Sequence, residues 1–402
     1  MKATLDDFAI LGGAPAFTQP LHVGRPNIGD SGALHERIQG MLDRRWLTND
    51  GPLVREFEVR IAQNVGVEQC VAASSGTSAL EVLLRAARLE GEVIVPSFTF
   101  VGSAHAILWS GLTPRFCDVD PETHTLDPAR VQELIGPETA AILGVHVWGR
   151  PCRIEALTEL AADNGIDLFF DAAHAFASAH AGRMLGTFGR AEVFSFHATK
   201  VLSSFEGGAL VTNDAELAER ARLARNHGFR DYDDVIALGT NAKMNEAEAA
   251  MGLTSLASLD HFVAANRRNY ERYGELLAGL PGVTLVRGDE RERWNYHYVV
   301  LEIDAETAGL SRDELHRILW AEGILARRYF YPGAHAMEPY RTRDPEARLR
   351  LPATEALVER VLCLPTGNAI GSSEVDEVCG IIHASLDRAP ELRRRLPDTV
   401  PA

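Results

Sequence analysis

Apolar runs alternate with amphipathic stretches from about residue 66 to residue 228 of the chain. The apolar runs predict strands over Glu92–Ser97, Pro114–Val119, Ala140–Trp148, Asp167–Ala173, Ala191–Ala198 and Gly207–Asn213. The stretches between them predict helices over Thr77–Arg88, Pro128–Ile135, Ile154–Asn164 and Ala215–His227. Ala141–Val145 is apolar throughout, which is typical of a parallel strand covered by helices on both faces. The alternation predicts an α/β domain with a mainly parallel sheet.

The pattern changes after about residue 255, where a long helical segment begins. It predicts a helix over Leu256–Leu280, a strand over Tyr296–Ile303, a helix over Ser311–Glu322, a strand over Cys363–Thr366 and a helix from about Ser373 to Leu386. Ser311 and Glu314 have the spacing of a capping box. We therefore predict a smaller α+β domain over residues 256–402, with a frayed tail from Arg393 onward.

The first 50 residues lack this periodicity and contain the turn-prone run Gly12–Pro15. We expect an irregular N-terminal arm over residues 1–50, followed by the large α/β domain over residues 51–255. The length of 402 residues agrees with two to three domains, since a domain takes about 150 residues.

The composition and charge exclude several classes of protein. Hydrophobic residues make up 46% and charged residues 24%, which excludes wholesale disorder. The formal net charge is −16, from 40 basic and 56 acidic residues. Because an acidic surface repels phosphate backbones and anionic lipids, we expect neither a nucleic-acid partner nor a membrane-surface partner. A small anionic ligand in a locally positive pocket stays possible.

The number of cysteines and the length of the apolar runs indicate the cellular compartment. The five cysteines are odd in number and show no C-x-x-C spacing, so we expect reduced thiols, no disulfide framework and no zinc or other metal site. No apolar run reaches the ~18 residues of a membrane span, and the N-terminus does not have the pattern of a signal peptide. We therefore expect a cytoplasmic protein.

Chemically useful residues follow the predicted strands, where ligands bind in open parallel sheets. Ser74–Leu80 opens a helix with small residues whose amides favour an anion, although such residues also serve as plain N-caps. Asp171 ends the apolar strand Leu168–Phe170, as a ligand or as a structural cap of the next loop.

Two further strand ends complete the set. Lys200 closes the stretch Ser195–Lys200, where apolar neighbours lower the pKa of an amine and make it a Schiff-base nucleophile. The alternative for a single lysine is a solvated loop position. Glu206-Gly207-Gly208 forms a tight turn into the next strand, which allows close approach of the backbone.

These features together fit one cofactor, pyridoxal 5′-phosphate (PLP). PLP needs a lysine for its aldehyde, a carboxylate for its ring nitrogen, an anion nest for its phosphate and a flat face on which to stack. The residues that supply these groups in order are Lys200, Asp171, the turn Ser75-Gly76-Thr77 with Ser195, and Phe100.

The chain resembles the DegT/DnrJ family of PLP-dependent sugar aminotransferases over nearly its whole length. The matching stretches are Ser75–Leu80, Val95–Phe100, Asp171–Ala175, Ser195–Lys200, Glu206–Gly208, Gly239–Met244 and Leu364–Gly367. The resemblance implies the aspartate aminotransferase (type I) fold and a cofactor site built by the residues named above. It also implies a homodimer with shared active sites, in which Asn241 reaches the phosphate of the partner subunit.

The resemblance assigns three catalytic positions. Lys200 would bind the cofactor covalently and transfer protons, and Asp171 would hold the pyridine nitrogen protonated. His174 stands where the family most often has Gln, and it would hydrogen-bond the ring hydroxyl in place of that Gln. A related dehydratase branch has His at the position of Lys200, so Lys200 disfavours that branch.

The chain is similar, within this family, to transaminases that make dTDP-4-amino-4,6-dideoxy-D-glucose for desosamine and enediyne antibiotic sugars. The matching stretches are Trp46–Phe57, His146–Cys152, Asn241–Met244 and Tyr329–Gly333. This implies a dTDP-linked 4-ketosugar as amino acceptor and L-glutamate, which becomes 2-oxoglutarate, as donor. Candidate contacts to the sugar nucleotide are His146, His197, Arg230, Lys243, Arg328 and Tyr329, and the alternative for each is a core, hinge or surface role.

Of three alternatives, the sequence leaves the first open and disfavours the other two. The same chemistry could act at C3, on a GDP- or UDP-sugar, or on a cyclitol ketone. A non-catalytic regulator with a PLP fold would have lost the lysine or the aspartate, and both are present. A Rossmann oxidoreductase needs a G-x-G-x-x-G turn, which Ser75–Ala79 does not have.

Overall fold

The computed structural model describes residues 2–289 and 292–397. Its strands, in chain order, are β1 Leu21–His22, β2 Gln69–Ala73, β3 Glu92–Pro96, β4 Thr113–Cys117, β5 Thr139–Val145, β6 Asp167–Asp171, β7 Ala179–His180, β8 Arg183–Met184, β9 Ala191–Ser195, β10 Gly208–Thr212, β11 Phe229–Asp231, β12 Asp234–Val235, β13 Val283–Leu285, β14 Val299–Ile303, β15 Ile324–Leu325 and β16 Val361–Leu364.

Helices connect and surround these strands. They are α1 Ser31–Arg44, α2 Pro52–Val65, α3 Gly76–Ala86, α4 Val101–Trp109, α5 Pro128–Leu134, α6 Ile154–Asn164, α7 Ala215–Ala224, α8 Glu246–Ala257, α9 Leu259–Leu276, α10 Ala305–Ala308, α11 Arg312–Ala321, α12 Tyr340–Arg343, α13 Pro352–Val358, α14 Ser372–Asp387 and α15 Ala389–Arg395.

The main sheet has seven strands in the order β2-β10-β9-β6-β5-β3-β4. Strand β10 runs antiparallel to both of its neighbours, and the pairs among β9, β6, β5, β3 and β4 are parallel. Apolar side chains cover both faces: Phe57, Ile142 and Phe194 belong to one cluster, while Leu83 and Val95 belong to the other. The prediction of a mainly parallel sheet between helices is confirmed.

A second, three-stranded sheet follows in the order β13-β14-β16, and its pairs are antiparallel. Helices α9 and α14 contribute to its core through Tyr273 and Val378, which pack in one cluster with Leu301 and Leu362. The Ser311–Glu314 capping box forms as predicted at the start of α11. This arrangement is the predicted smaller α+β part, while the domain boundaries at residues 50 and 255 stay predictions.

The expectation that residues 1–50 are irregular is wrong in part, while their assignment as an N-terminal arm stays a prediction. Helix α1 fills residues 31–44, and Asp30 caps it by accepting from the amides of Gly32 and Ala33 at 2.8 and 3.1 Å. Leu34 and Ile38 on this helix pack against the core of the main sheet. Only a few apolar residues define the buried face of α1, so the periodic signal in the sequence is weak.

Two further expectations in the C-terminal half need correction. The single helix predicted over Leu256–Leu280 is two helices, because the backbone at Ser258 leaves the helical region between α8 and α9. The tail from Arg393 is helical as far as Arg395, because α15 buries Leu392 against Phe8 of the N-terminal segment. The rest of the predicted frayed tail, residues 398–402, lies outside the described residues.

None of the helices in the described part of the chain is long and apolar enough to cross a membrane. The five cysteines are buried free thiols. Burial also raises the pKa of the Cys363 thiol to about 12, which keeps it protonated and unreactive.

Candidate active site

One cavity of about 390 Å³ opens where several strands of the main sheet end. The carboxyl ends of β2, β3, β5, β6 and β9 contribute to its wall, as expected for a ligand site in a parallel sheet. The segment before β14 and the segment after β15 close the opposite side. Its lining includes Ser75, Gly76, Thr77, Phe100, Asp171, His174, Ser195, His197, Lys200, Tyr298, Arg327 and Tyr329.

The N-terminus of α3 forms an anion nest at one end of this cavity. Ser75 caps the helix by accepting from the amide of Ser78 at 3.0 Å, and Gly76 and Thr77 line the cavity in the first turn. A Cβ on Gly76 would lie 2.9 Å from the Cβ of Ser195, so this close approach requires glycine. Unpaired amides at a helix start and the helix dipole favour a phosphate group here.

Asp171 ends β6 with a buried carboxylate whose oxygens accept from uncharged donors. Ser103 donates to Oδ2 at 2.7 Å, and the amide of Ala173 donates to Oδ1 at 3.0 Å. Burial raises the pKa of Asp171, while these hydrogen bonds and the positive charge of Lys200 oppose that rise. The carboxylate is therefore a site for a cationic or protonated partner from the cavity.

Lys200 brings an amine with a lowered pKa to the same cavity. Burial lowers its pKa to about 8, and the negative charge of Asp171 opposes this effect. The Nζ atom donates to the hydroxyl of Tyr298 at 3.4 Å. A larger fraction of free amine is therefore present near neutral pH than for an ordinary lysine, as a nucleophile toward an aldehyde requires.

The imidazole of His174 is held as a hydrogen-bond donor toward the cavity. The amide of Trp148 donates to its Nδ1 at 3.1 Å, which in the neutral ring leaves the proton on Nε2. Burial, helped by Lys200 and His297, lowers the pKa of His174 well below its usual value. The backbone of Trp148 is in the left-handed region (φ 54°), which is a strained conformation for a bulky residue. In this conformation its amide faces Nδ1 of His174.

Phe100 places an aromatic ring at the mouth of the cavity. It is the N-cap residue of α4, and its side chain is 59% exposed. The same helix carries Ser103, the hydrogen-bond donor to Asp171, and Thr99 Oγ1 lies 3.0 Å from Ser103 Oγ. Helix α4 thus sets both an aromatic face and a contact to the carboxylate.

The groups that line the cavity match the groups of PLP. The α3 nest suits the phosphate, the carboxylate of Asp171 suits a protonated ring nitrogen, and the amine of Lys200 suits the aldehyde. Phe100 offers a face for stacking, and the Nε2 proton of His174 suits an oxygen on the ring. The cavity volume lies in the range of small-ligand sites.

The DegT/DnrJ/EryC1/StrS aminotransferase family matches residues 30–383. The chain belongs to this family. Since the family match covers most of the chain, the protein is an aminotransferase, and PLP is its cofactor. The predicted type I fold with a large α/β part and a smaller α+β part is confirmed.

Three similar proteins show how far the likeness extends. The dTDP-4-amino-4,6-dideoxy-D-glucose transaminase of Escherichia coli is 33% identical over 344 residues, which covers 85% of this aminotransferase and 92% of the relative. DesI, solved in the presence of its TDP-sugar product, is 49% identical with a TM-score of 0.92, covering 98% of this chain and 99% of DesI. DesV of S. venezuelae, solved in complex with a ketimine intermediate, is 32% identical with a TM-score of 0.83, covering 89% of this chain and 95% of DesV.

Eight of the nine residues predicted to bind the cofactor line the one cavity. The ninth, Asn241, pairs by an isolated bridge with Asn226, and its side chain accepts from Lys243 at 2.7 Å. Asn241 and Lys243 are absent from the lining of this cavity as the described residues form it. Their predicted roles, which for Asn241 involve the partner subunit, stay predictions.

Of the residues predicted to contact the sugar nucleotide, two line the cavity and the others do not. His197 and Tyr329 line the cavity. His146 is fully buried away from it, where Nε2 lies 3.2 Å from Glu192 and the ring stacks on Phe170, so its placement supports the alternative of a core side chain. Two arginines lie elsewhere on the surface with ion-pair partners: Arg230 with Asp234, and Arg328 with Asp313.

Sequence reasoning missed three residues at this site: Ser103, Tyr298 and Arg327. Ser103 and Tyr298 contact Asp171 and Lys200 across 68 and 98 residues of sequence, so no local motif marks them. Arg327 lines the cavity beside Tyr329, whereas its neighbour Arg328 was the predicted contact. Arg327 and Arg328 are adjacent residues of the same type, so no local motif distinguishes them.

Proposed function

We propose that this aminotransferase converts dTDP-4-keto-6-deoxy-D-glucose to dTDP-4-amino-4,6-dideoxy-D-glucose, with L-glutamate as amino donor. The observation that carries the proposal is the 49% identity to DesI over 98% of the chain, since DesI was solved with its TDP-sugar product. The Escherichia coli relative, named for dTDP-4-amino-4,6-dideoxy-D-glucose, supports the same sugar. We expect the product to enter a deoxysugar pathway of antibiotic biosynthesis.

Lys200 moves the protons in both halves of the proposed reaction. Its Nζ takes the proton from the Cα of glutamate as a general base, and the resulting ammonium acts as an acid. In the second half, Nζ would take a proton back from the aminated cofactor and deliver it to C4 of the sugar. The face on which Lys200 stands decides the configuration of the new C–N bond, and the resemblance implies an equatorial amine.

Asp171 keeps the cofactor in its reactive state. When bound, PLP supplies an electron sink that stabilises negative charge at the reacting carbon. The carboxylate of Asp171 holds the ring nitrogen protonated, which strengthens that sink, and Ser103 holds the carboxylate in place. His174 donates from Nε2 to the ring oxygen, and Phe100 excludes water from one face.

Arg327 and Lys243 are proposed to recognise anionic groups of the substrates. Arg327 lines the cavity, and within the described residues no carboxylate forms an ion pair with it. Both substrates carry anions, namely the carboxylates of glutamate and the diphosphate of the sugar nucleotide. Because the two substrates use the site in turn, a single guanidinium can serve each of them.

A homodimer with shared sites is part of the proposal. The hairpin β11–β12 and the residues after it expose a cluster of large apolar side chains: Phe229, Tyr232, Val235, Ile236 and Leu238. Tyr232 is 93% exposed and Leu238 79% exposed, which is costly in water and favourable against a second copy of the chain. Arg230 on this hairpin and Asn241 beyond it would then reach the partner's site.

We also propose that the enzyme acts in the cytoplasm. The five free, buried cysteines support this location, because a reducing compartment preserves thiols.

Product analysis tests the proposed reaction. Purified protein with PLP and L-glutamate is incubated with dTDP-4-keto-6-deoxyglucose, with the 3-keto isomer, with GDP- and UDP-linked 4-ketosugars and with a cyclitol ketone. We expect NMR to locate nitrogen at C4 of the dTDP sugar and 2-oxoglutarate to accumulate in equal amount. Nitrogen at C3, or preferential turnover of another acceptor, would refute the proposed substrate.

A further inference from the structure

Two consecutive residues, His297 and Tyr298, contact Lys200 and the residue before it. The Nζ of Lys200 donates to the hydroxyl of Tyr298 at 3.4 Å. The Nε2 of His297 lies 2.7 Å from the carbonyl oxygen of Thr199 and donates to it. Both residues lie in the segment that leads into β14 of the three-stranded sheet. This segment therefore contacts the lysine that lines the cavity at the edge of the main sheet.

Buried hydrogen bonds to Nδ1 and to the backbone amide fix the orientation of His297. The amide Nδ2 of Asn266, on α9, lies 3.3 Å from Nδ1 of His297 and donates to it. The ring therefore keeps its proton on Nε2, where it faces Thr199. Burial lowers the pKa of His297 to about 4, so the ring stays neutral at physiological pH. The amide of His297 also donates to Oδ1 of Asn295 at 3.0 Å.

The hydroxyl of Tyr298 is suited to both protonation states of an amine. It lies in the cavity lining, and its ring packs on His174 with the centroids 4.4 Å apart. Burial raises the pKa of Tyr298 well above its usual value, so it remains a neutral phenol. A neutral hydroxyl accepts a hydrogen bond from an ammonium and donates one to a free amine. A proton-transferring lysine alternates between these two forms.

We infer that His297 and Tyr298 form a positioning pair that sets the location of the Lys200 amine and its readiness to transfer a proton. Tyr298 acts on Nζ directly, and His297 acts through the backbone at Thr199. The inference rests on the proposed function in taking Lys200 as the proton-transferring residue. It does not depend on which sugar is the acceptor.

The first test measures Lys200 in the apoenzyme, without any substrate. The sequence contains three lysines, Lys2, Lys200 and Lys243, so competitive labelling with an amine reagent across pH resolves each one by peptide mass spectrometry. In Tyr298→Phe the ring packing stays and only the hydroxyl is lost. Because the hydrogen bond from the ammonium is charge-assisted and stronger than the one to the free amine, we expect the labelling midpoint of Lys200 to fall by more than half a pH unit, while the midpoint of Lys243 stays within 0.2 units. An unchanged midpoint for Lys200 would overturn the role of Tyr298.

The second test uses the PLP-loaded enzyme with glutamate alone. We expect Tyr298→Phe to lower the rate of the glutamate half-reaction about tenfold, the order expected for one lost hydrogen bond, with KM changed less than threefold. The deuterium isotope effect with 2-deuterated glutamate should increase, because proton transfer becomes slower than the other steps. A rise in KM with an unchanged rate and isotope effect would place Tyr298 in substrate binding instead.

A matched control separates positioning from folding. Tyr273→Phe removes a hydroxyl of equal burial, which donates to the carbonyl of Pro365 at 3.0 Å in the small-sheet core, away from the cavity. We expect Tyr273→Phe to lower thermal stability without changing the labelling of Lys200. If both variants alter Lys200 equally, the effect of Tyr298 is structural and the inference fails.

His297 is tested by conservative replacement. Glutamine carries an amide nitrogen near the position of Nε2, so His297→Gln should retain most of the half-reaction, whereas His297→Leu should lose about tenfold. Equal activity of the Leu and Gln variants would refute the backbone part of the inference. If these results hold but none of the tested ketosugars is aminated, the positioning pair stands and the proposed substrate falls.

Discussion

Ser103 donates a hydrogen bond to Oδ2 of Asp171 over 2.7 Å and so joins helix α4 to the end of strand β6. Phe100, the N-cap of the same helix, lies one turn earlier at the mouth of the cavity. The aromatic face and the carboxylate that PLP requires are therefore set by a single element. A change at Ser103 acts on the carboxylate without touching the cofactor's phosphate or its lysine.

Ser103→Ala should lower the rate of transamination about tenfold, with the cofactor still bound. Loss of a hydroxyl that donates to a buried carboxylate raises the pKa of Asp171 further and weakens its hold on the ring nitrogen. Steady-state kinetics and PLP absorbance measure the two effects. Ser385→Ala is the matched control, because its buried hydroxyl bonds only within α14, to Ile381, and its loss should leave the kinetics unchanged.

Asp171→Asn should retain PLP and lose most transamination, by about a hundredfold or more. A neutral amide keeps the shape of the carboxylate but does not hold the ring nitrogen protonated. Absorbance of bound PLP and the rate of the glutamate half-reaction check the two parts. Turnover of this variant at the wild-type rate would reduce Asp171 to a structural cap.

Lys200 should be the residue that carries the cofactor. Borohydride reduction of the loaded enzyme, followed by peptide mapping, should place the pyridoxyl group on Lys200 and leave Lys2 and Lys243 free. In the apoenzyme, we expect the labelling of Lys200 to follow a midpoint near pH 8, since burial disfavours its ammonium form. A pyridoxyl group on either other lysine would contradict the assigned mechanism.

The direction in which pH changes the stability of the apoenzyme follows from the burial of Lys200. The folded protein binds this proton less tightly than the unfolded chain, where the pKa is about 10.5, so Lys200 makes apoenzyme stability rise with pH between about 8 and 10.5. Lys200→Met should remove that rise. Asp171→Asn should lower the labelling midpoint below 8, because the carboxylate that favours the ammonium is gone.

Shared active sites should allow inactive chains to complement each other. Mixing Lys200→Ala with Asn241→Asp should restore part of the activity, since one site of the heterodimer then collects both intact residues. Mixing Lys200→Ala with Asp171→Asn is the control, because both of these residues line the cavity of one chain and no intact site can form. Heterodimers that assemble from inactive parents without any recovery would exclude a shared site.

The two neighbouring arginines should differ in their effect on substrate binding. Arg327→Met should raise KM about tenfold for glutamate and for the sugar nucleotide, because it removes a cation from the cavity. Arg328→Met should change KM less than threefold, since this arginine pairs with Asp313 at the surface. Equal effects of the two changes would remove Arg327 from its proposed role.

Lys243 offers a complementary measurement of the sugar nucleotide alone. Lys243→Ala should raise KM for the sugar nucleotide far more than KM for glutamate, because glutamate has no diphosphate. An equal rise for both substrates would instead indicate a role in folding or in cofactor binding.

Eight of the nine residues predicted to bind the cofactor meet in one cavity because they lie in short motifs that follow the strands. Asp171 and Lys200 follow apolar runs, and parallel strands bring such ends together at one edge of a sheet. For His146 the structure supports the alternative of a core side chain, since strand β5 ends at Val145 and not at Trp148 as predicted. The amide of His146 then bonds to the carbonyl of Asp171, and its ring lies against Phe170 and Glu192 inside the fold.

Contacts between distant segments were beyond local pattern reasoning. The contact of Tyr298 with Lys200 depends on where β14 lies relative to the cavity. Hydrophobic periodicity does not predict the position of one sheet relative to another. Arg327 and Arg328 are equivalent in composition, and only the bridge of Arg327 with Cys363 fixes which of them faces the cavity. Helix α1 was not predicted because few of its residues are apolar and buried, so its hydrophobic periodicity is weak.

The contact between the small sheet and Lys200 constrains how relatives of this enzyme can be recombined. A chimera that takes residues 256–402 from a relative also imports whatever stands at positions 297 and 298 against the host's Thr199 and Lys200. Grafts that preserve His297 and Tyr298 should remain catalytically competent, whereas grafts that alter them should fold and bind PLP yet turn over slowly. Libraries built to exchange sugar specificity should therefore place their crossover points after residue 298.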